Sequence, residues 1–453
     1  MFKNNFIRDY NRLTERWIKE YAEERKGKNV VFSPFSLISL LSIAADATEG
    51  RTREEIETYL CENISFREFR EELKKIKDSF ATSKELSAAN AVIVKESLKD
   101  TIQPLYEQTV KERFDGTLFL SGQAAEDVNA WVKEKTKGMI SEIADRSVEE
   151  MLVAMLSAIA FDAQWADKYE DKDIQPDDFI NYDNSISRVL IMRSTESTYI
   201  ENRNFSGFVK PYKDTPFSFM ALLPKSKELK IRRNLLRSID FTELFSAAIS
   251  AEVHVSMPEF SCTFSDDLAG RLQRSDINEL FTPQADFRPL STFPLMAGSL
   301  KHRALIKVNR HGTKAAAVSC FVIAAGSAGI NDPKFVTLDR PFVYAIIHNP
   351  SGLPVFTGFI NYLDNASSED LDDISGRKLR REKLYKECTI LYESIGDKLS
   401  PDWNFEKGTT EYDLYYKARD AYMYGNLQEL QAIEQKVDNY LLFKDQDSKE
   451  HFK

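Results

Sequence analysis

The chain has 453 residues, of which 42% are hydrophobic and 29% charged, with 17 Gly and 15 Pro; this composition suits a soluble protein with a sizeable core and excludes wholesale disorder, collagen and low-complexity classes. The length allows about three domains of roughly 150 residues, or one larger unit of about 350. Sixty-one Lys and Arg against 71 Asp and Glu leave a formal charge of −10, which repels a phosphate backbone and argues against a nucleic-acid partner.

In chain order, residues 5 to 27 place Phe6, Tyr10, Leu13, Trp17 and Tyr21 at helical spacing among charged positions, which predicts an opening helix. This segment has neither the apolar region nor the small-residue cleavage site of a secretory leader. The expected location is therefore cytoplasmic, with unconventional export left open. Val30 to Phe32 predicts a short strand. Ser33-Pro34 then supplies a cap and a first helical position for a helix from Phe35 to Thr48, apolar nearly all round and so expected to be buried. After Gly50, Thr52 and Glu55 form a capping-box pattern that starts the next helix. Residues 65 to 82 and 99 to 114 read as exposed helices flanking a strand at Ala88 to Val94, and Asp127 to Ile140 as another helix. Strand patterns dominate from there: Leu152 to Phe161, Ser187 to Met192, Phe217 to Leu223, Glu252 to Val255, Ala304 to Val308, Phe342 to Ile347 and Val355 to Ile360. Asn349-Pro350-Ser351-Gly352 predicts a hairpin loop between the last two. Helices early and strands late give an α+β class rather than alternating βαβ units. Residues 364 to 374, DNASSEDLDDI, read as an acidic linker. Residues 375 to 453 read as a helical extension, periodic at Leu379, Leu384, Cys388 and Leu391 and again at Tyr412, Tyr415, Tyr416 and Tyr422, broken by Pro401 and Gly408.

Chemistry-bearing motifs are sparse. Five histidines, His254, His302, His311, His348 and His451, show no HExxH spacing, and Cys61, Cys262, Cys320 and Cys388 form no CxxC pair. The cysteines are expected to be four reduced thiols, with no metal and no cofactor. No phosphate-binding glycine motif occurs, and in Gly326-Ser327-Ala328-Gly329 the serine stands one place too early for a hydrolase elbow. The chain is not expected to be an enzyme. Its longest stretch without a charged side chain, Ala315 to Asn331, is too short and too weakly apolar to span a membrane.

Several segments in order resemble the serpin family. They are Asn29 to Ser36 with the buried helix and Glu49-Gly50-Arg51-Thr52 after it, Asn90-Ala91, Val128 to Val132 with Thr136 to Ile140, and Ala158 to Phe161 leading to Trp165. Further on come Pro211-Tyr212-Lys213, Leu222-Leu223-Pro224, Met257 to Phe260, Gly312 to Ala317, Asp339 to Phe342, and Phe356-Thr357-Gly358. The matches run from about residue 5 to 362; the tail is outside the pattern. The resemblance implies a serpin-like domain over residues 1 to 363 with three β-sheets, about nine helices and an exposed reactive loop near residues 310 to 334. It also implies a suicide substrate: a serine protease cuts the loop, and the loop inserts as a new central strand while the protease is still covalently attached. Strand insertion by serpins is a known example of β-strand addition and of released strain.

The loop sequence suits that role. At a period of two, one face carries Thr313, Ala315, Ala317, Ser319, Phe321 and Ile323, all small or apolar. The hinge would comprise Arg310, Gly312, Thr313, Ala315, Ala316 and Ala317. The family's usual spacing lands on Gly326-Ser327, and Ala324-Ala325 and Ala325-Gly326 compete with it as the scissile bond. These small residues, with no Lys or Arg between Lys314 and Lys334, point to elastase-like or subtilisin-like proteases. Cys320 is an ordinary loop residue or an accessible thiol. The resemblance also implies a buried polar cluster beneath the opening sheet, Ser33, Ser36, Ser157 and His302, in which Ser157 replaces the family's asparagine. Glu259 and Arg310 stand where the family sets a lysine against an acidic hinge residue, a reversed ion pair, and Lys314 and Ser319 replace the family's acidic residue and threonine. A second reading is a non-inhibitory serpin-fold binding protein whose helical tail, with Tyr412, Tyr415, Tyr416, Tyr422 and Tyr424, recruits a protein partner.

Overall fold

The computed structural model describes residues 2–81, 85–120, 124–226, 236, 239–313, 332–400, 405–423 and 427–450. The chain divides into two compact units, Met1–Ala366 and Ser367–Lys453.

The first unit is built on two sheets. One is seven-stranded, in the order Thr117–Leu120, Leu86–Val94, Val153–Phe161, Ala297–Asn309, Gly312–Thr313 and Ala163–Gln164, with Phe260–Asp267 also paired to Ala297–Asn309. The other is nine-stranded and runs Val30–Phe32, Leu353–Ile360, Phe342–His348, Phe217–Pro224, Phe205–Pro211, Ile186–Glu201, Ile249–Pro258 and Lys334–Thr337, with Ile174–Ile180 on the side of Ile186–Glu201. Two of the three expected sheets are thus continuous here. The 16-residue strand Ile186–Glu201 pairs with Ile174–Ile180 early in its length and with Phe205–Pro211 at its end, joining them.

The helix Pro34–Asp46 fills the centre, buried at every position from Pro34 to Ala45. Ser33 caps it, accepting from the Ser36 N–H, and Pro34 occupies its first turn, where a missing N–H costs nothing. It touches Val153–Phe161 and Ala297–Asn309 of one sheet and Leu353–Ile360 of the other, so its apolar circumference is what a two-layer core requires. The opening helix, Asn4–Glu24, buries the stripe Phe6, Tyr10, Leu13, Trp17 and Tyr21.

Three local readings change. The helix expected to start at Thr52 starts at Gly50, because the Thr52 hydroxyl is used elsewhere: it donates to Glu279 Oε1 at 2.9 Å and accepts from the Asp286 N–H at 3.0 Å. The helices Phe66–Ala81 and Pro104–Phe114 are not simply exposed, since Phe66, Phe69, Leu73 and Ile76 of the first and Tyr106, Val110 and Phe114 of the second are buried. The acidic segment is helical from Ser368 onward, with the Ser367 side chain accepting from the Asp370 N–H; Asp370 falls in the first turn, where negative charge suits the helix dipole.

The second unit consists of helices Ser368–Leu399, Thr410–Met423 and Leu427–Glu450. Cys388, Ile395, Leu399, Ala418, Ala421, Leu430, Ile433 and Val437 form its core, with Tyr392, Tyr415 and Tyr422 packed against it. Tyr392 stacks on Tyr422 at 4.8 Å, and Tyr415 on Phe405 at 4.0 Å. Tyr415 and Tyr422 therefore serve this unit's own packing, while Tyr412 lies against Tyr416 at 4.3 Å and Tyr424 falls outside the described residues.

Candidate functional site

The seven-stranded sheet contains one joint unlike the others beside it. Val153–Phe161 and Ala297–Asn309 pair in parallel, Ser157 opposite His302 and Ile159 opposite Ala304. Their outer neighbours, Leu86–Val94 and Phe260–Asp267, pair with them antiparallel. A strand running antiparallel to both banks would replace one parallel contact by two antiparallel ones, the slightly stronger pairing.

Such a strand has already started. At the top of the joint the chain leaves Asn309, turns through Arg310 and His311, and returns as Gly312–Thr313, antiparallel both to Val308–Asn309 and to Ala163–Gln164. The close approach explains the glycine. Gly312 has φ +138°, and a Cβ there would lie 2.1 Å from the Ala163 carbonyl oxygen. Lys314 to Asn331, which include Ala315, Ala316, Ala317, Cys320, Ala324, Ala325, Gly326 and Ser327, lie outside the described residues.

Glu259 and Arg310 hold the turn in place. Arg310 donates from Nε to Glu259 Oε1 at 2.9 Å and from Nη2 to Oε2 at 3.1 Å, and its backbone N–H reaches Oε1 at 2.9 Å. The fork geometry of a guanidinium on a carboxylate makes this a specific contact rather than a chance pairing of surface charges. Trp165 adds a second tether: its indole N–H donates to the Asn309 carbonyl at 2.8 Å, and its backbone N–H lies 3.4 Å from the His311 carbonyl.

Lower in the joint sit the four polar residues of the expected cluster, and the structure brings them together in two groups. The Ser33 N–H donates to His302 Nε2 at 3.2 Å, and the Ser36 N–H to Ser33 Oγ at 3.1 Å. With Nε2 accepting, the imidazole proton is on Nδ1. Burial pushes His302 down to about 3, against a smaller opposing effect of the Ser157 backbone, so the ring is neutral at ordinary pH. Ser157 instead donates to Asn90 Oδ1 at 2.7 Å, and Asn90 Nδ2 donates to the Phe114 carbonyl at 3.0 Å. Asn90 is the member that sequence reasoning missed. The amide absent at Ser157 is supplied by the residue directly opposite on the neighbouring strand, a strand buried at every position from Ala89 to Val94, so that nothing local in the sequence singled Asn90 out.

The outer face of the joint is covered. Ala125, Val128 and Val132 of the helix Ala124–Lys135 pack on Ala89, Ala91, Ile93, Leu156, Ala158 and Ala160. Beyond it Asp145 accepts from Lys301 Nζ at 2.8 Å, linking the covering segment to the opposite bank. That hydrogen bond, with two from Ser147, lowers the Asp145 carboxyl to about 2.

Comparison with known proteins agrees with this geometry. A family model described as Serpin (serine protease inhibitor) matches residues 8–362. Intracellular coagulation inhibitor 2 of Tachypleus tridentatus is 28% identical over 360 residues, covering 75% of this chain and 86% of the relative. Plasminogen activator inhibitor 1 of Neovison vison is 27% identical over 367 residues, covering 75% and 88%. Among solved structures, the native state of the thermophilic serpin tengpin superposes with a TM-score of 0.71 at 28% identity, covering 80% of this chain and 95% of that one. The three C-terminal helices lie beyond the matched region.

Proposed function

The chain belongs to the serpin family, and from that premise we propose that it inhibits a serine protease as a suicide substrate, by insertion of its cleaved loop between Val153–Phe161 and Ala297–Asn309. The observation that carries this reading is the parallel joint with Gly312–Thr313 already set between its banks at the top.

Continuing the register in which Thr313 faces Val308 would bring Ala315 opposite Ile306, Ala317 opposite Ala304, Ser319 opposite His302 and Phe321 opposite Leu300. All five of those partners on the existing strand are buried, and the loop face that would join them is the small and apolar one. Ala324 would stand opposite Ala297, the first residue of that strand. A cut at Ala324-Ala325, Ala325-Gly326 or Gly326-Ser327 would therefore leave a full-length strand to insert. About ten new ladder hydrogen bonds at roughly 0.5 to 1.5 kcal/mol each amount to about 5 to 15 kcal/mol, comparable to the whole stability of a typical domain.

The target is proposed to be elastase-like or subtilisin-like, from the alanines and glycine around the candidate bonds. Incubation with such proteases should give an SDS-stable covalent complex, and mass spectrometry of the released fragment should locate the cut after residue 324, 325 or 326. Quantitative loop cleavage without any complex across a broad panel would refute inhibition and favour the binding-protein reading with a partner on the helical tail.

A further inference from the structure

Behind Trp165 lies a charged pair that the joint itself does not need. Lys210, on Phe205–Pro211, and Glu196, on Ile186–Glu201, are buried to 1% and 5% side-chain exposure, with Nζ donating to Oε1 at 2.6 Å. Both belong to the nine-stranded sheet, not to the one that would open. Ser194 Oγ also donates to Glu196 Oε1 at 2.6 Å, and Tyr169 OH lies 3.2 Å from Ser194 Oγ. The ammonium stands 4.7 Å from the Tyr169 ring centroid and 5.6 Å from that of Trp165, both within cation–π reach. Trp165 is fully buried and stacks on Tyr212 at 4.6 Å and 9°. The strand that carries Lys210 also holds the backbone next to the tryptophan, since the Ala166 N–H donates to the Pro211 carbonyl at 3.1 Å.

A buried ion pair is poor at raising stability, because desolvating two charges offsets their attraction; its attested use is to fix one geometry among several. What this pair faces is the indole whose N–H holds Asn309, the residue from which the turn into Gly312–Thr313 departs. We propose that Lys210 and Glu196 are positioning residues for loop insertion: they fix Trp165, and through it they keep Gly312–Thr313 lodged between the two banks. This rests on the inhibitor reading for its consequence, since a hinge that has begun the new strand shortens the time in which the bound protease can hydrolyse its ester and escape. The positioning itself can be read without any protease.

The test replaces both charges at once, Lys210→Leu with Glu196→Leu, so that neither is left buried and unpaired, and combines the pair with Trp165→Phe in a cycle. In hydrogen exchange, amides of residues 309–313 should exchange at least about tenfold faster in the double variant, with residues 153–161 unchanged. The triple variant should be no faster than Trp165→Phe alone. The charge-exchanged chain, Lys210→Glu with Glu196→Lys, should return toward wild-type protection, and it also serves if the apolar variant does not fold. With a protease that the wild type traps, the covalent fraction should fall several-fold. Protection at 309–313 that stays at the wild-type level, effects of the pair and of Trp165 that multiply independently, or a lower denaturation midpoint alone would overturn the proposal, as would faster exchange with an unchanged covalent fraction. If no protease is trapped while the exchange pattern holds, the inhibitor reading fails and the positioning of Trp165 stands.

Discussion

Glu259 and Arg310 meet through a two-pronged side-chain contact and one backbone hydrogen bond at the turn above the joint. The sequence suggested the exchanged signs, and the structure brings the two groups together, Arg310 at 15% and Glu259 at 21% side-chain exposure. A double-mutant cycle with Glu259→Gln and Arg310→Gln should give a coupling of about 1 kcal/mol, the upper end for partly exposed pairs; additive effects would leave the pairing without energetic weight. His302 makes a second residue-scale statement. Its pKa is depressed to about 3 in the fold and lies near 6.5 unfolded, so the unfolded chain takes up the proton first. The contribution of its neutral ring is present above about pH 6.5 and is lost progressively as pH falls toward 3. Stability measured by denaturant across that range should fall less steeply in His302→Gln than in wild type; identical slopes would place the loss on other groups. Lys314 is a third case. In the register proposed for the inserted loop it comes opposite Lys307, which is exposed on the outer face, and like charges directly across a ladder are unfavourable. Lys314→Glu should stabilise the cleaved form by roughly 0.2 to 1 kcal/mol and raise the fraction of protease trapped; a lower fraction would show that the register is different. The polar cluster was legible in three of its serines and its histidine, but their partners were not. Asn90 answers Ser157 from across a strand pair, and a pairing between residues 67 positions apart leaves no local trace in sequence.

At the scale of elements, the buried helix Pro34–Asp46 and the strands Val30–Phe32, Val153–Phe161 and Phe342–His348 were readable because uniform apolarity or cap chemistry marks them locally. The hairpin at Asn349 to Gly352 was readable too: Gly352 has φ +69°, and its N–H and that of Ser351 both reach the His348 carbonyl. Strands Ile174–Ile180 and Phe205–Pro211 escaped, since they carry internal Pro, Gly or charge and are held by their neighbours rather than by their own propensity; Phe260–Asp267 escaped although its alternation of buried Phe260, Cys262 and Phe264 with exposed Ser261 and Thr263 was there to read. The most consequential element, the two-residue strand Gly312–Thr313, has no periodicity to read. Only the family resemblance marked it. Its geometry predicts where insertion can be blocked. In the proposed register Ala317→Arg would put a guanidinium opposite buried Ala304, at a cost of several kcal/mol for an unpaired buried charge, and the expected outcome is a variant that is cut and released rather than trapped. Full retention of complex formation in that variant would rule out central-strand insertion.

At the scale of the whole molecule, the length that first allowed three domains is divided into one unit of two sheets and one of three helices. The matched family region ends at residue 362, four residues before the first unit does. Under the proposed insertion mechanism, the first unit is held short of its most stable state. Its seven-stranded sheet is closed by a parallel pairing, covered by the helix Ala124–Lys135 and tied across by Lys301 and Asp145, and in the proposed mechanism the strand that would complete it is the loop of the same chain. Most of a protein's interactions are already made when it folds; here about 5 to 15 kcal/mol of strand pairing would be withheld until the loop is cut. The direct measurement is the thermal midpoint of the Met1–Lys453 chain before and after limited cleavage within residues 324–327. At about 2 to 4 °C per kcal/mol for a unit of a few hundred residues, cleavage with insertion should raise the midpoint by tens of degrees, and an unchanged or lower midpoint in the cleaved chain would contradict the insertion mechanism.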